Sequence, residues 1–427
     1  MLELEIIPER SLGCDSWEFV LGMHFSQSVA IIQSLVGIVR GVHVLYSDQN
    51  PLSVDLVINM PQDGIRLIFD PVAQRLKVIE IFNMKLVKLK YSGMCFNSPE
   101  ITPSIEQVEH CFGATHPGLY DSQRQLFALN FRGLSFYFPV DSKFEPGYAH
   151  GLGSLQFPNG GSPVVSRTTI YHGSQHQASQ TNSGTLCGAP LPDLPLSCYR
   201  KQLHLRRCDV VRTPNSTVGL RLHMITEGPG RTVAEGGGPR SVCRVVRFGS
   251  SVQRVCAALG APSRTYYKAD DKMRIHRPTA RRRPPPASDY FFNYFTLGLD
   301  VLFDARTNQV KKFVLHTNYP GHYNFNIYHR CEFELNVQPD KCAAGGGPVR
   351  VCAYSQWGGV SRALRVAERP VVLNRASSTN TTNPFGSTFC YGYQDIIFEV
   401  MSNNYIASIT LYQPEGTRPH YAVNSIA

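Results

Sequence analysis

A short pattern that recurs along the chain constrains the fold more than any other feature of the sequence. In its clearest copy, Gly298–Asp304 reads GLDVLFD and shows mostly period-two alternation, which is typical of a half-buried strand. A cluster of turn-forming residues follows, and Val310–Leu315 then reads as a second strand. Near the N-terminus, Gly64–Asp70 leads through a turn to Leu76–Ile81 in the same way. Both segments are therefore predicted to be β-hairpins in equivalent places of two related lobes.

Two degenerate copies extend the repeat to four. Gly133–Phe138 is the third copy and lacks a clear partner strand, whereas Tyr393–Val400 is the fourth and is followed by Ile406–Leu411. The predicted unit is a helix, a glycine stop, a strand and a hairpin. Four such units in two lobes predict an α+β fold with mostly antiparallel sheets.

A helical pattern precedes each copy of the hairpin. Gly113 and Gly260 are the predicted stops of two of these helices. The fourth helix, near Gly359–Leu364, is short and poorly marked. The other three begin at hydroxyl residues suited to N-capping, which are Ser26, Ser104 and Ser250.

Local composition, with its segments rich in Gly, Ser, Pro or Arg, predicts the domain organisation. The first lobe is expected over 1–158, and 159–197 is rich in Gly, Ser, Gln and Pro, which is typical of a flexible linker. The second lobe is expected over 198–415, with an Arg- and Pro-rich insert at 274–288, followed by a tail over 416–427.

The composition is that of a globular protein. The chain has 427 residues, of which 42% are hydrophobic and 17% charged. The net charge of +10 is concentrated in Tyr199–Arg212 and Lys268–Arg283, so it does not indicate a nucleic-acid-binding surface. The N-terminus lacks the pattern of a signal peptide, and the longest apolar stretch, 28–45, is too polar to span a membrane. A cytoplasmic protein is expected.

Three histidines in the aromatic stretch after the second hairpin raise the question of a metal site. His316, His322 and His329 lie within fourteen residues, but their spacing matches no zinc signature. Their aromatic and Asn neighbours favour an ordered, hydrogen-bonded loop that packs against the lobe. We therefore expect no metal at these histidines.

Catalytic motifs are missing from the sequence, which has no nucleophile elbow, phosphate-binding loop or His-Glu-x-x-His. Asp70 and Asp304 share one position of the repeat, just before the hairpin turn. Two interpretations are open. The favoured one is that both aspartates accept backbone hydrogen bonds in a turn, and the other is that they form a pair of catalytic carboxylates. No enzyme activity and no cofactor are expected.

The basic insert also has two readings. Arg281–Arg283 precede three prolines and resemble a nuclear import signal or a contact for acidic lipids. A solvated insert is the favoured reading, because three prolines remove backbone donors and arginines resist burial. We predict that 278–287 is exposed and irregular, and that its deletion leaves thermal stability nearly unchanged.

Several long strings resemble the phagosome assembly factor 1 family. They cover about three quarters of the chain, whereas 159–247 and the Arg-Pro insert depart from the family pattern. The strings are WEF (Trp17–Phe19), FGATHPG (Phe112–Gly118), LNFRGLSF (Leu129–Phe136), AHGL (Ala149–Leu152), Asp289–Phe333 and TNPFGSTFCYG (Thr382–Gly392).

The resemblance implies a non-enzymatic role in autophagy and brings no catalytic residues with it. Family members act with a β-propeller partner, the breast carcinoma amplified sequence protein, at phosphoinositide-containing membranes where autophagosomes form. This implies a cytoplasmic adaptor that is recruited to phagophore assembly sites through that complex. An older line of family annotation concerns trafficking from the Golgi.

Two functional hypotheses follow. The first is the adaptor, which predicts filled cores and exposed apolar or aromatic residues. The second is a lipid- or small-ligand-binding protein of Golgi or endosomal trafficking, which predicts an apolar cavity beside Tyr319–Tyr328. Candidate partner contacts are the exposed members of two strings shared with the family, namely Asn318, Tyr319, Pro320, His322, Tyr323, Asn383, Pro384 and Phe385.

Overall fold

The chain divides into two units, Met1–Cys198 and Tyr199–Ala427, which are called here the first lobe and the second lobe. The computed structural model describes residues 1–113, 118–121, 123–140, 147–148, 155–156, 163–173, 190–195, 203–214, 216–226, 240–268, 288–340, 347–374 and 385–413.

In its described residues, the first lobe is built from strands with two helices between them. Its elements are β1 (Leu2–Ile7), β2 (Ser11–Cys14), β3 (Trp17–Val20), α1 (Phe25–Ser34), β4 (His43–Leu45), β5 (Leu56–Met60), β6 (Ile65–Phe69), β7 (Leu76–Ile81), β8 (Val87–Tyr91), β9 (Met94–Asn97), α2 (Ile105–Phe112), β10 (Leu119–Asp121), β11 (Leu126–Phe131), β12 (Leu134–Pro139), β13 (Gly147–Tyr148), β14 (Leu155–Gln156) and β15 (Arg167–Tyr171).

The second lobe repeats this succession, apart from the short β13–β14 ladder. Its elements are β16 (His204–Arg212), β17 (Thr217–Thr226), β18 (Arg240–Arg247), α3 (Val252–Leu259), β19 (Arg264–Tyr267), β20 (Tyr290–Tyr294), β21 (Leu299–Phe303), β22 (Val310–His316), β23 (Phe333–Val337), β24 (Val349–Cys352), α4 (Trp357–Leu364), β25 (Val371–Leu373), β26 (Thr388–Tyr393), β27 (Ile396–Val400) and β28 (Ile406–Tyr412).

Each lobe contains one five-stranded and one eight-stranded sheet. The orders are β3-β2-β1-β8-β9 and β10-β11-β12-β15-β7-β6-β5-β4 in the first lobe, and β18-β17-β16-β23-β24 and β19-β20-β21-β22-β28-β27-β26-β25 in the second. Neighbouring strands are antiparallel except for two parallel pairs, β1 with β8 and β16 with β23. The α+β class with mostly antiparallel sheets is confirmed, and strands dominate it.

The repeating unit is one helix followed by four strands, one strand more than predicted. Two units meet at the centre of each eight-stranded sheet, where β7 pairs with β15 and β22 with β28. The third copy of the pattern, β12, does have a partner, which is β15. Because β15 follows only after a long connection, no local hairpin pattern could reveal it.

The two predicted hairpins, β6–β7 and β21–β22, occupy equivalent sheet positions and share one register. In both, a glycine with positive φ precedes the first strand, and a register shift precedes its last residue, a phenylalanine. The prediction is therefore confirmed. The first pairs are Ile65–Ile81 and Leu299–Leu315, and the shifts precede Phe69 and Phe303.

The aspartate after each first strand closes the hairpin turn. Asp70 Oδ1 accepts the N–H groups of the second and third residues after it, at 3.0 and 2.7 Å. Asp304 Oδ1 does the same, at 3.0 and 2.9 Å, and these bonds, the Thr307 N–H foremost, lower the pKa of Asp304. Asp121 forms the same turn before β11. The turn reading of these residues is thus confirmed by their contacts.

The helix starts follow capping chemistry. Ser104 caps α2 as predicted, through a reciprocal capping box with Gln107. Ser251, one residue later than predicted, caps α3. The prediction of Ser26 was wrong, because α1 begins at Phe25 and its N-cap is His24. The fourth helix begins at Trp357, two residues before the expected start.

The linker reading of 159–197 needs correction in two places. Arg167–Tyr171 forms β15, an interior strand of the eight-stranded sheet of the first lobe. Further on, the Arg75 guanidinium donates hydrogen bonds to the carbonyls of Gly22 and Pro192. Within 159–197 only 163–173 and 190–195 are described. The predicted exposed segment 278–287 and the tail 416–427 lie outside the described residues, so the insert stays a prediction.

One apolar core lies beneath both sheets of the second lobe. It combines Leu222 of β17 and Phe313 of β22, both fully buried, with Val255 of α3 and Trp357 of α4. This core fixes β22, and with it the start of the segment that carries the predicted contact residues.

Candidate interaction site

The loop 317–332 joins β22 to β23 and contains five of the predicted contact residues. Four of them are buried and can take part only as supports, and these are Asn318, Tyr319, Pro320 and His322. Tyr323 is 38% exposed. In the second predicted string, Phe385 is 51% exposed, while 383 and 384 lie outside the described residues. The predicted ordered loop with a following strand is confirmed by its burial and by β23.

A tight turn starts the loop. The His322 N–H donates to the Tyr319 carbonyl at 3.4 Å, which places Pro320 and Gly321 at the two central positions. Gly321 has a φ of 85°, which the third position of a type II turn requires. Asn318 Oδ1 accepts the N–H of Asn326 at 3.0 Å and so draws the far side of the loop back.

Tyr319 and Arg330 hold the loop onto the second lobe. The Tyr319 hydroxyl donates to the Ala353 carbonyl at 3.0 Å, and burial raises the pKa of this phenol. The Arg330 guanidinium lies over the Tyr319 ring, 4.9 Å from its centroid, and its Nε donates to the Thr317 carbonyl at 2.8 Å. This buried cation–π contact fixes both ends of the loop.

A second cluster centres on the buried carboxylate of Asp300 on β21. It lies 2.8 Å from His316 Nε2 and accepts hydrogen bonds from the Tyr328 hydroxyl at 2.8 Å and the Asn293 amide at 2.7 Å. Burial, and then the neighbouring Asp300 charge, raise the pKa of Tyr328. The Tyr328 ring also stacks on the His316 ring, with centroids 3.9 Å apart.

A third cluster brings the two predicted strings together. The buried carboxylate of Glu399 on β27 accepts hydrogen bonds from the hydroxyls of Thr388 and Ser408, each at 2.8 Å. His322 Nδ1 accepts the Asn324 N–H, so in the neutral ring Nε2 carries the hydrogen and faces Glu399 at 3.4 Å. Because Thr388 follows Phe385 by three residues, Glu399 links the loop of Tyr323 to the segment of Phe385.

The three histidines considered as metal ligands have separate surroundings. His316 faces Asp300 and His322 faces Glu399, whereas His329 stacks on His204 with centroids 5.6 Å apart. Burial, and then the neighbouring His204, lower the pKa of His329 to about 3.

The Glu399 cluster does not have the geometry of a nucleophilic triad. Glu399 lies between the Ser408 hydroxyl and His322, so the imidazole is not placed to take the proton of that hydroxyl. These contacts brace the loop, and the accessible predicted residues that remain are Tyr323 on the loop and Phe385 on the segment before β26.

Sequence reasoning did not identify Asp300, Glu399 or Arg330. Each is a charged residue that the fold buries, with exposures of 7–8%. The available signal was a single acidic residue inside an otherwise apolar strand, as in LDVLF and IIFEV. Such a residue faces the core or the solvent according to the register, which the strand alone does not determine.

Fold and site together define a duplicated, mainly β protein whose second lobe presents aromatic side chains on a loop braced by buried polar clusters. Comparison with known proteins gives the particular family: a model described as phagosome assembly factor 1 matches residues 15–412, and the chain belongs to that family.

Similar proteins occur in animals and plants. A PHAF1 protein of Drosophila melanogaster is 60% identical, with 96% of this chain and 94% of the relative covered. A PHAF1 protein of Caenorhabditis elegans is 34% identical over the same shares, and one of Arabidopsis thaliana is 36% identical over 92% and 90%. No solved structure matches the chain. Within the described residues, no helix has both the length and the apolar character needed to cross a bilayer.

Proposed function

We propose that the chain is a non-enzymatic adaptor of autophagosome formation that acts with a β-propeller protein of the breast carcinoma amplified sequence family. The observation that carries the proposal is membership of the phagosome assembly factor 1 family over nearly the whole chain. An assembly factor works by presenting surfaces to other proteins, and the second lobe offers such a surface at Tyr323 and Phe385.

The packing of the loop supports an adaptor over a ligand carrier. A pocket for a lipid beside 319–328 would need unfilled apolar volume. Tyr319 is instead fully buried against Arg330, and Tyr328 is 6% exposed and bonded to Asp300. The loop is thus filled by its own side chains, which argues against the alternative of a lipid- or small-ligand-binding protein in Golgi or endosomal trafficking.

The adaptor would be cytoplasmic and would reach phagophore assembly sites through the complex. Phosphoinositide membranes are then contacted mainly by way of the propeller partner, and the net charge of +10 adds a weak, salt-sensitive attraction to anionic lipids.

Partner capture by purified variants tests the proposed contact. Tyr323→Ala combined with Phe385→Ala should weaken binding to the purified propeller protein at least tenfold and leave the melting temperature unchanged. The matched control is Tyr266→Ala with Tyr267→Ala, which removes two rings that are 47% and 64% exposed on β19. Equal loss in both double variants would remove the support for this contact. Undiminished recruitment to phagophores in cells without the propeller protein would replace the adaptor by direct lipid binding.

A further inference from the structure

The edge strand β18 of the second lobe is unusually long and open. It forms one edge of the five-stranded sheet, and among the described strands it pairs only with β17. Of its eight residues only Val246 is buried and six are exposed. The equivalent strand of the first lobe, β3, has four residues, none of them exposed. Edge strands are usually short or covered, because their unpaired backbone groups invite pairing with another chain.

The direction of the outer backbone groups follows from the ladder. In an antiparallel pair, alternate residues turn their N–H and C=O groups toward the neighbouring strand. The Phe248 N–H donates to the Val218 carbonyl of β17. In contrast, the Arg247 N–H donates to Ser250 Oγ, and the Arg247 carbonyl accepts the Ser250 N–H. The backbone N–H and C=O groups of Arg247, and of every second residue before it, therefore point away from β17.

The residues with outward backbone groups are thus Ser241, Cys243 and Val245. One contact supports the assignment, since the Arg244 guanidinium donates to the Cys243 carbonyl at 2.9 Å. Val245 is 44% exposed. A further strand could therefore pair along this edge.

The edge is also strongly basic. Arg240, Arg244 and Arg247 are exposed on β18, and Arg254 is exposed on the adjacent helix α3. A cleft of about 280 Å³ runs between strand and helix, lined by Val245, Val246, Arg247, Ser250 and Arg254.

These four arginines, three on β18 and one on α3, differ from two arginines on other strands of the five-stranded sheet. Arg207 is paired with Asp209 and Arg350 with Glu334. Within the described part of the chain, no carboxylate pairs with any of the four at the edge. The first lobe builds the equivalent strand as WEFV, with a glutamate and no arginine, so the repeated fold does not require this charge.

We propose that β18 binds an extended acidic segment of a partner protein by strand addition. The segment would pair with the outward groups of 241–245, and its carboxylates would meet the edge arginines. A second copy of this chain is disfavoured as the occupant, because pairing two β18 strands would align arginines with arginines. The site is additional to the contact proposed at Tyr323 and Phe385 and does not depend on it.

Two synthetic peptides of opposite charge probe the site. One is a capped octapeptide that alternates Glu and Val, and the other alternates Lys and Val. Fluorescence anisotropy with the full chain should show at least tenfold tighter binding of the acidic peptide. Arg244→Glu with Arg247→Glu should reverse the preference. Arg362→Glu in α4 with Arg369→Glu after it, an equal charge change in the other repeat unit, should leave the preference unchanged.

Val245→Pro separates strand addition from simple charge attraction. This residue gives no N–H to β17, so proline removes an outward donor and leaves the ladder with β17 paired. Acidic-peptide binding should fall at least tenfold while the melting temperature and binding of anionic phosphatidylserine vesicles stay the same. Undiminished peptide binding to this variant would overturn strand addition.

The remaining outcomes are also decisive. If vesicles bind but the acidic peptide does not, the edge is a membrane contact and the proposal fails. If neither binds, the arginines only protect the edge against aggregation. Charge reversal to glutamate retains such protection, so a soluble Arg244→Glu/Arg247→Glu protein with wild-type behaviour toward both peptides would likewise overturn the proposal.

Discussion

Arg212 and Asp395 form a buried ion pair between the two sheets of the second lobe. Their Nη1 and Oδ1 atoms are 2.7 Å apart, and their side chains are 5% and 1% exposed. Arg212 ends β16 in the five-stranded sheet, whereas Asp395 lies in the turn between β26 and β27 of the eight-stranded sheet. Arg212 also donates to Thr217 Oγ1 and Gln394 Oε1, so one guanidinium joins three elements.

Removing one partner of this pair should destabilise the protein strongly. Arg212→Met leaves the Asp395 carboxylate buried without its counter-ion, and we expect a loss of about 3–5 kcal/mol in the free energy of unfolding. Arg207→Met is the control, because that side chain is 57% exposed and its pairs should contribute less than about 1 kcal/mol. Urea titration of both variants measures the difference, and similar losses would show that the buried pair has no special role.

The glycine that starts the second hairpin should not tolerate a side chain. Gly298 has a φ of 62°, and a Cβ there would lie 2.4 Å from the His329 carbonyl oxygen and 2.7 Å from the Cys331 nitrogen. Gly298→Ala should therefore lower the free energy of unfolding by more than about 1 kcal/mol. Gly359→Ala in α4 meets nothing within 4 Å and should stabilise by about 0.5–1 kcal/mol. Thermal unfolding distinguishes the two, and a neutral Gly298→Ala would contradict the packing of the loop against this turn.

The sequence predicted the parts of the fold that are local. The two hairpins were evident because alternation, turn and glycine lie within eighteen residues. β15 was missed because its pairing with β12 depends on residues that are distant in the chain. The buried role of Tyr319 and His322 was missed for a related reason: Asn, His and Tyr are common in exposed loops, and the partners that bury them come from other elements.

The chemistry of the site could not follow from the repeat. Asp300 and Arg66 occupy the same register position, each paired with an asparagine on the preceding strand. Arg66 forms an ion pair with Glu80, whereas Asp300 faces His316. Equivalent backbone positions thus carry side chains of opposite charge in the two lobes. The repeat therefore predicts the strand but not the charge of the side chain at this position.

Loss of the Glu399 charge should loosen the loop that carries Tyr323. Glu399→Gln replaces one of the two acceptor oxygens with an amide donor, so the hydroxyls of Thr388 and Ser408, which bond to different oxygens, can no longer both donate to this side chain. We expect a cost of about 1–3 kcal/mol and faster amide hydrogen exchange over 322–324. Glu368→Gln, at an exposed position, is the control. Unchanged exchange in the Glu399 variant would show that the carboxylate does not brace the loop.

Stability should fall as the solution becomes acidic, and His329 should account for part of the fall. Its pKa is lowered to about 3 in the fold, against 6.5 for the unperturbed side chain, because it is buried against His204. Between these values the unfolded chain binds a proton that the folded chain does not, so stability rises with pH through this window.

Between pH 7 and pH 5, protonation linked to His329 should lower the free energy of unfolding by about 1–2 kcal/mol. His329→Asn lacks the titrating group and should show a correspondingly flatter dependence, whatever its stability at pH 7. His110→Asn replaces an exposed histidine of α2 and should keep the slope of the unaltered protein. The measurement is urea unfolding at several pH values, and equal slopes for the unaltered protein and His329→Asn would place the acid sensitivity elsewhere in the chain.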